Sequence, residues 1–361
     1  MMMTARTTAV ALAAAAGLTL TACGGSTGTS NSGADGGSTG SATAPSGDCS
    51  SAEVFCVGLV TDMGKVDDKS FNQSAWEGVQ AAAKETGAQT KYIETTDTKD
   101  YASNIKQFTD KKYDVVVTVG FLMAEPTVTA AGTAPDTKFI AVDQFQAKEV
   151  ANVTGLSFPE DKAGYAAGYL AGLLSKSDKV GQVLGMQIPP VEKYAKGFIA
   201  GAKASNPNAS VATVYHPAGD NAFSDPVWGA NTAKQQLSQG IDVIFGAGGK
   251  TGNGALAEIA KAAGAGKTTF CIGVDTDQWT TVPEARPCLV TSATKELSKG
   301  TADLIKQAKD GSIKGGNFVG EVGLAPFHDL DSAVPADVKT KVDGIVKGLA
   351  DDSIKTGVTL G

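Results

Sequence analysis

From about residue 54 onward, short runs of continuous apolar residues alternate with longer stretches whose apolar positions recur at helical spacing. The apolar runs predict strands over Val54–Thr61, Gln89–Glu94, Val115–Val119, Phe139–Val142 and Thr154–Phe158. A second series covers Val180–Met186, Ser210–Tyr215, Val243–Phe245, Phe270–Val274 and Leu289–Ser292. Between them the spacing predicts helices over Ser74–Thr86, Ala102–Phe108, Lys162–Leu174, Tyr194–Ala204, Asn231–Gln239, Ala255–Ala263 and Lys295–Gln307. Apolar strands separated by amphipathic helices belong to parallel sheets covered on both faces. Two series of similar length predict an α/β protein of two doubly wound lobes. A single barrel, which eight or more β/α units also permit, is the competing architecture. An apolar stretch follows the last helix, so the chain is expected to return to each lobe near its end.

In open α/β sheets a ligand sits beyond the carboxyl ends of the strands. Here several strands run out into polar residues or glycine: Thr61-Asp62, Gly120, Asp143-Gln144, Gly246-Ala247-Gly248-Gly249 and Asp275. These positions converge on one cleft if the lobes face each other, and domain interfaces favour small-molecule sites.

The first twenty-three residues have a different character. Arg6 supplies the charge of a short leading region, Thr7–Leu20 is an apolar stretch too short to span a membrane comfortably, and small residues follow. Leu20-Thr21-Ala22-Cys23 resembles the bacterial lipobox, in which cleavage precedes a cysteine whose thiol carries diacylglycerol. An ordinary signal peptide with an incidental cysteine is the alternative. Residues 24–47 hold eight Gly, six Ser and four Thr with Asp35 as the single charge, a composition that buries little and behaves as a tether. Two G-x-S-x-G matches inside it lack the strand-to-helix turn of a nucleophile elbow. The expected organisation is a signal peptide over 1–22, a lipidated Cys23 and tether over 23–52, an N-terminal lobe of 53–158 with 290–313, and a C-terminal lobe of 159–289 with 314–361. Roughly 310 residues then remain for two lobes of ordinary size.

The formal net charge of −7 argues against a polyphosphate-binding or nucleic-acid-binding surface. The two histidines, His216 and His328, make a His-rich metal site a poor expectation. No metal and no cofactor is expected. Four cysteines besides Cys23 lie in an exported chain, where disulfides are permitted. Cys49 with Cys56 and Cys271 with Cys288 are the local pairings; each cysteine is equally readable as a buried free thiol. Gly246–Thr251 is superficially a phosphate loop, but Ile244 stands where that motif needs its first glycine. Its glycines are better read as letting a ligand approach the backbone.

The densest candidate chemistry is the stretch Thr61–Gln73, between the first strand and the first helix. It joins Asp62, Asp67 and Asp68 with Phe71 and Asn72. A solvated loop with Ser70 or Asn72 capping the helix accounts for the polar residues. It leaves unexplained a phenylalanine beside a cleft, next to an amide. An aromatic that stacks and an amide that reads an edge suit a flat heterocycle. Asp275 at a strand end can accept two bonds from vicinal hydroxyls. Lys295, read as opening a late helix, would pair with a cleft carboxylate or donate to a hydroxyl; by base rate it is a surface lysine. Phe223 lies in a loop and would face Phe71, or simply pack. No catalytic constellation emerges, so the chain is not expected to be an enzyme.

Taken together, the lipobox, the run Asp68-Lys69-Ser70-Phe71-Asn72-Gln73-Ser74-Ala75-Trp76-Glu77-Gly78 and the run Gly273-Val274-Asp275-Thr276-Asp277-Gln278 resemble the basic membrane protein family of lipoproteins. That family includes the purine nucleoside receptor, the substrate-binding component of nucleoside ABC importers, and the resemblance covers essentially residues 54–361. It implies a type I periplasmic-binding-protein fold with a three-segment hinge and a purine nucleoside clamped between the lobes. Phe71 would stack on the base with Asn72 reading its edge. Asp62 and Asp143 would be cleft carboxylates. Phe223, in a loop that varies, would be the second stacking aromatic. Gly248, Asp275 and Lys295 would contact the ribose. The expected partners are the ligand, the ABC permease subunits and the membrane through the lipid anchor. The expected state is a monomer on the extracytoplasmic face of the cell membrane. A sugar-binding protein of the same fold and a nucleoside-sensing surface receptor are the alternatives.

Overall fold

The structure is a computed structural model that describes residues 47–360. The signal peptide, Cys23 and the tether up to residue 46 lie outside the described residues.

The first lobe begins with β1 (Cys56–Met63), α1 (Phe71–Thr86), β2 (Gln89–Thr95), α2 (Tyr101–Thr109), β3 (Val115–Val119), α3 (Ala124–Thr133), β4 (Lys138–Val142) and β5 (Val153–Ser157). The chain then crosses into the second lobe. There it forms α4 (Glu160–Leu174), β6 (Lys179–Leu184), α5 (Pro189–Ser205), β7 (Ser210–Tyr215), α6 (Pro226–Ser238) and β8 (Val243–Ala247). These are followed by α7 (Gly249–Ile259), β9 (Phe270–Asp275), the one-turn α8 (Gln278–Thr281) and β10 (Leu289–Lys295). It returns to the first lobe as α9 (Leu297–Asp310) and β11 (Gly316–Val319), then ends in the second with β12 (Val322–Leu324) and α10 (Ala336–Ala350).

Each lobe holds a six-stranded sheet, ordered β11-β5-β4-β3-β1-β2 and β12-β10-β9-β8-β6-β7. The pairs are parallel except β10 with β12. Every residue of β1, β3, β8 and β9 is buried. This is the consequence of helices on both faces, and it is why these strands read as unbroken apolar runs. Each sheet accordingly has two apolar cores, one on each face.

Three crossings join the lobes, near residues 158–159, 295–297 and 320–321. The last two differ from the expected boundaries at 290 and 313. β10 pairs with β9 and so belongs to the second sheet, whereas β11 pairs with β5 and completes the first. The chain re-enters the first lobe only with α9, whose Leu297, Leu304 and Ile305 join Val57, Val79, Val117 and Leu156 in one core. Lys295 therefore ends a strand and does not open a helix.

Residues 47–52, expected in the tether, are tied to the body. Cys49 is bonded to Cys56 at 2.04 Å, and Val54 N–H donates to Ser51 O at 3.1 Å. Cys271 is likewise bonded to Cys288 at 2.13 Å.

Candidate functional site

The carboxyl ends of strands from both sheets border one cavity between the lobes, the kind of interface that favours small-molecule sites. From the first lobe come Asp62 and Met63 at the end of β1, Asp68, Phe71 and Asn72 around the start of α1, Gly120 and Phe121 after β3, and Asp143 after β4. From the second come Phe223, Ala247, Gly248 and Gly249 after β8, Val274 and Asp275 of β9, and Lys295 at the end of β10. The eight residues singled out from the sequence, Asp62, Phe71, Asn72, Asp143, Phe223, Gly248, Asp275 and Lys295, all line this cavity.

Phe71 and Asn72 are presented by the first turn of α1. Neither Ser70 nor Asn72 caps that helix. The Asp68 carboxylate does, accepting from the N–H groups of Ser70 (2.9 Å), Asn72 (2.9 Å) and Gln73 (3.1 Å). The Ser70 hydroxyl is thereby free to donate to Asp275 Oδ2 in the other lobe, at 2.7 Å. Burial pushes Asp68 up to about 7 against those three donors. Phe223 is held through its own backbone, since its carbonyl accepts Lys250 N–H at 3.0 Å. The Thr251 hydroxyl pins both flanks, donating to Ala222 O (3.0 Å) and accepting from Asp225 N–H (2.9 Å).

Lys295 organises the charged end. Its ammonium lies 2.6 Å from Asp143 Oδ2, 3.5 Å from Glu160 Oε1 and 3.9 Å from Asp275 Oδ1. It also sits over the Phe71 ring, 4.7 Å from its centroid. Its side chain is only 2% exposed. Burial alone would lower its pKa, but Asp143, Glu160 and Asp275 hold it above the ordinary lysine range. Burial likewise raises Asp275 and pushes Glu160 up to about 7, opposed in each case by Lys295. Asp62 accepts from Tyr101 Oη–H and from Met63 N–H (2.6 Å), and burial pushes it up to about 6.

Two glycines make room for this arrangement. A Cβ on Gly120 would lie 2.2 Å from Asp62 Oδ2, so glycine there is what lets the carboxylate occupy its place. A Cβ on Gly248 would lie 2.5 Å from Gly185 N. The expectation for Gly248 was close approach of a ligand; the contact that excludes a side chain is with the protein's own backbone.

Chemically, the cavity offers apolar walls, one buried cation and a surplus of carboxylates. Two buried acceptors, Asn72 Oδ1 and Asp143 Oδ1, have no hydrogen-bond partner. Such groups are costly unless satisfied. The site is thus suited to a neutral, partly aromatic molecule carrying N–H and O–H donors, and unsuited to a phosphorylated one.

Several contributors escaped the sequence reading. Ile188, Pro190, Val191 and Tyr194, at the start of α5, form an apolar wall. Pro189-Pro190, separated from the end of β6 by four residues, is the available signal, because proline favours the first helical turn. Glu160 and Tyr101 act from behind lining residues, and no spacing in the sequence connects them to the cleft.

Two sheet lobes with a cleft at their strand ends define the periplasmic-binding-protein class. A solute-binding protein of an ABC transporter from Aeropyrum pernix K1 has this fold: TM-score 0.75 at 24% identity, covering 83% of this chain and 92% of that one. The model of the Bmp family, ABC transporter substrate-binding protein PnrA-like, matches residues 55–322, and the chain belongs to that family. It is 31% identical to the ABC transporter nucleoside-binding protein BmpA of Lactococcus lactis subsp. cremoris, over 79% of this chain and 85% of that protein. It is 33% identical to a CD4+ T-cell-stimulating antigen of Listeria innocua, over 97% and 98%. No helix among the described residues is long and apolar enough to cross a membrane.

Proposed function

We propose that this chain is the nucleoside-binding lipoprotein of an ABC importer, taking a purine nucleoside between its lobes and delivering it to a membrane permease. The observation that carries the reading is the pairing, in one interlobe cavity, of Phe71 and Phe223 from opposite lobes with two buried, unpartnered acceptors, Asn72 Oδ1 and Asp143 Oδ1. Aromatic walls take the two faces of a base. Acceptors with nothing to accept call for its N–H edge or for hydroxyls. In this reading Phe71 and Phe223 stack on the base, Asn72, Asp62 and Asp143 read its edge, and Gly248, Asp275 and Lys295 hold the ribose. The nucleoside named for the Lactococcus relative supports the same ligand class. The surplus of cleft carboxylates disfavours nucleotides. Cys23 carries the lipid, two acyl chains being what stable anchoring needs. The protein acts as a monomer on the extracytoplasmic face.

The test is a thermal-shift and calorimetric panel of adenosine, guanosine, inosine, pyrimidine nucleosides, free bases, and ribose and galactose. Purine nucleosides should bind with stabilisation. Binding of sugars alone, or of no nucleoside, overturns the reading.

A further inference from the structure

The cavity is closed over by contacts that do not touch it. In the first lobe, Lys69 has φ +63°, a left-handed conformation that is unfavourable for a lysine. Within the loop, Asp68 Oδ1 spans Lys69 to accept the Ser70 N–H at 2.9 Å. The loop also presents two backbone carbonyls, and side chains of the other lobe donate to both. Asn253 Nδ2 of α7 donates to Asp68 O at 2.8 Å. Thr281 Oγ1 of α8 donates to Lys69 O at 2.8 Å, and Gln278 Nε2 to the same oxygen at 3.3 Å. Gln278 also donates to Asn253 Oδ1 at 2.8 Å, so the donors form one network. An ion pair from Lys250 to Asp67, 2.8 Å, lies outside it in solvent.

The network is rooted in the walls of the cavity on both sides. Gln278 is fully buried, and its Oε1 accepts the N–H of Val274, the neighbour of Asp275. The loop it grips carries Asp68, the cap of the helix that presents Phe71 and Asn72. Lys69, Asn253, Gln278 and Thr281 do not line the cavity.

We infer that Asn253, Gln278 and Thr281 form an interlobe latch on the Asp68 and Lys69 carbonyls, positioning residues that hold the closed state and align Phe71 and Asn72 with Asp275 without contacting ligand. The inference rests on the ligand reading above only for its probe. These bonds exist only when the lobes meet, so they add to the stability of every liganded complex equally. Removing them lowers the closed population and weakens apparent affinity by that fraction.

The experiment compares the parent chain with Asn253→Ala/Thr281→Val and with Thr281→Ser, which keeps the hydroxyl. Affinities and dissociation rates are measured for adenosine, inosine and guanosine. The double variant should lose affinity on the order of tenfold, chiefly through faster dissociation, and by the same factor for all three ligands. Thr281→Ser should stay near the parent. Unchanged affinity in the double variant overturns the latch. So does a loss that differs among the three nucleosides, which would mean contact with ligand. Should the parent bind no nucleoside, the ligand reading falls while the latch is still tested by small-angle scattering of the ligand-free proteins. A larger radius of gyration in the double variant supports it, and an unchanged one overturns it.

Discussion

Lys295 ends β10 of one sheet, Asp143 directly follows β4 of the other, and their side chains meet at 2.6 Å in the wall of the cleft. Each lies beside a crossing or strand end that a lobe movement would displace, so the pair is a bond between lobes as well as a feature of the site. The ammonium also faces Glu160 and Asp275. Removing one partner of a buried pair leaves the other charge uncompensated, at a cost of about 3–5 kcal/mol. Lys295→Met should therefore lower the stability of the ligand-free protein by about that amount in urea unfolding at pH 7.5. At pH 5 the deficit should shrink, because Glu160 and Asp275, which burial raises, then take up protons. A deficit that does not change with pH would mean that Lys295 contributes through packing alone.

The buried carboxylates set the sign of the pH dependence. Burial pushes Asp62 up to about 6 and Asp68 up to about 7. In the unfolded chain both sit near 4. Between these values the folded chain binds more protons than the unfolded one, so this contribution to stability is full at about pH 4 and is lost as pH rises toward 6–7. The loss is on the order of 3 kcal/mol for Asp62 and 4 kcal/mol for Asp68. Asp62→Asn, which cannot titrate, should flatten the part of the slope below about pH 6. Chemical denaturation of ligand-free protein from pH 4.5 to 8 measures it. A slope that Asp62→Asn leaves unaltered would assign the dependence to other groups.

How far the sequence exposed this architecture depended on burial. Strands such as Val115–Val119 were legible because both faces are covered and every position must be apolar. The end of β10 was not. Leu289–Ser292 reads as strand, but Thr294 and Lys295 read as the approach to a helix and its start, although β10 runs on to Lys295. In the fold Thr291 Oγ1 donates to Ala325 O at 2.6 Å, Ser292 Oγ accepts Gln278 N–H at 3.1 Å, and Lys295 is satisfied by carboxylates. Partners distant in sequence make a polar strand buriable, and no local pattern announces them. For the same reason Glu160 and Tyr101 were invisible, while Phe71, Asn72 and Asp275, standing at strand ends or helix starts, were within reach. α3 and α10 went unread: α3 buries only Thr127 and Ala131, and α10 only four of its positions.

The Cys271–Cys288 bond closes a 17-residue separation that contains Val274, Asp275 and Gln278. A loop of this size contributes about 3 kcal/mol by restricting the unfolded chain. Both cysteines are fully buried, so alanine replacements also leave small voids. Cys271→Ala/Cys288→Ala should lose about 3 kcal/mol in urea unfolding. The parent should match that loss when unfolded under strong reductant, after allowance for the bond between Cys49 and Cys56 through a Cys49→Ala/Cys56→Ala control. Equal stability of the reduced and oxidised parent would deny the bond any role.

Phe71 and Asp275 come from different lobes yet are joined through one helix turn, since Ser70, the residue before Phe71, donates to Asp275 Oδ2 at 2.7 Å. They should nevertheless act on different parts of a nucleoside. Each stacked aromatic face is worth about 1–3 kcal/mol per base. Phe71→Ala and Phe223→Ala should therefore each weaken a purine nucleoside by roughly ten- to a hundredfold, and weaken the free base by a similar factor. Asp275→Ala removes an acceptor for hydroxyls, so it should weaken inosine or guanosine far more than hypoxanthine or guanine. Titration calorimetry of the three variants against nucleoside and base separates the roles. Equal losses for nucleoside and base on Asp275→Ala would place that carboxylate away from the sugar. Sugar binding that survives both phenylalanine replacements, with no nucleoside binding in the parent, would favour a carbohydrate ligand for the same cleft.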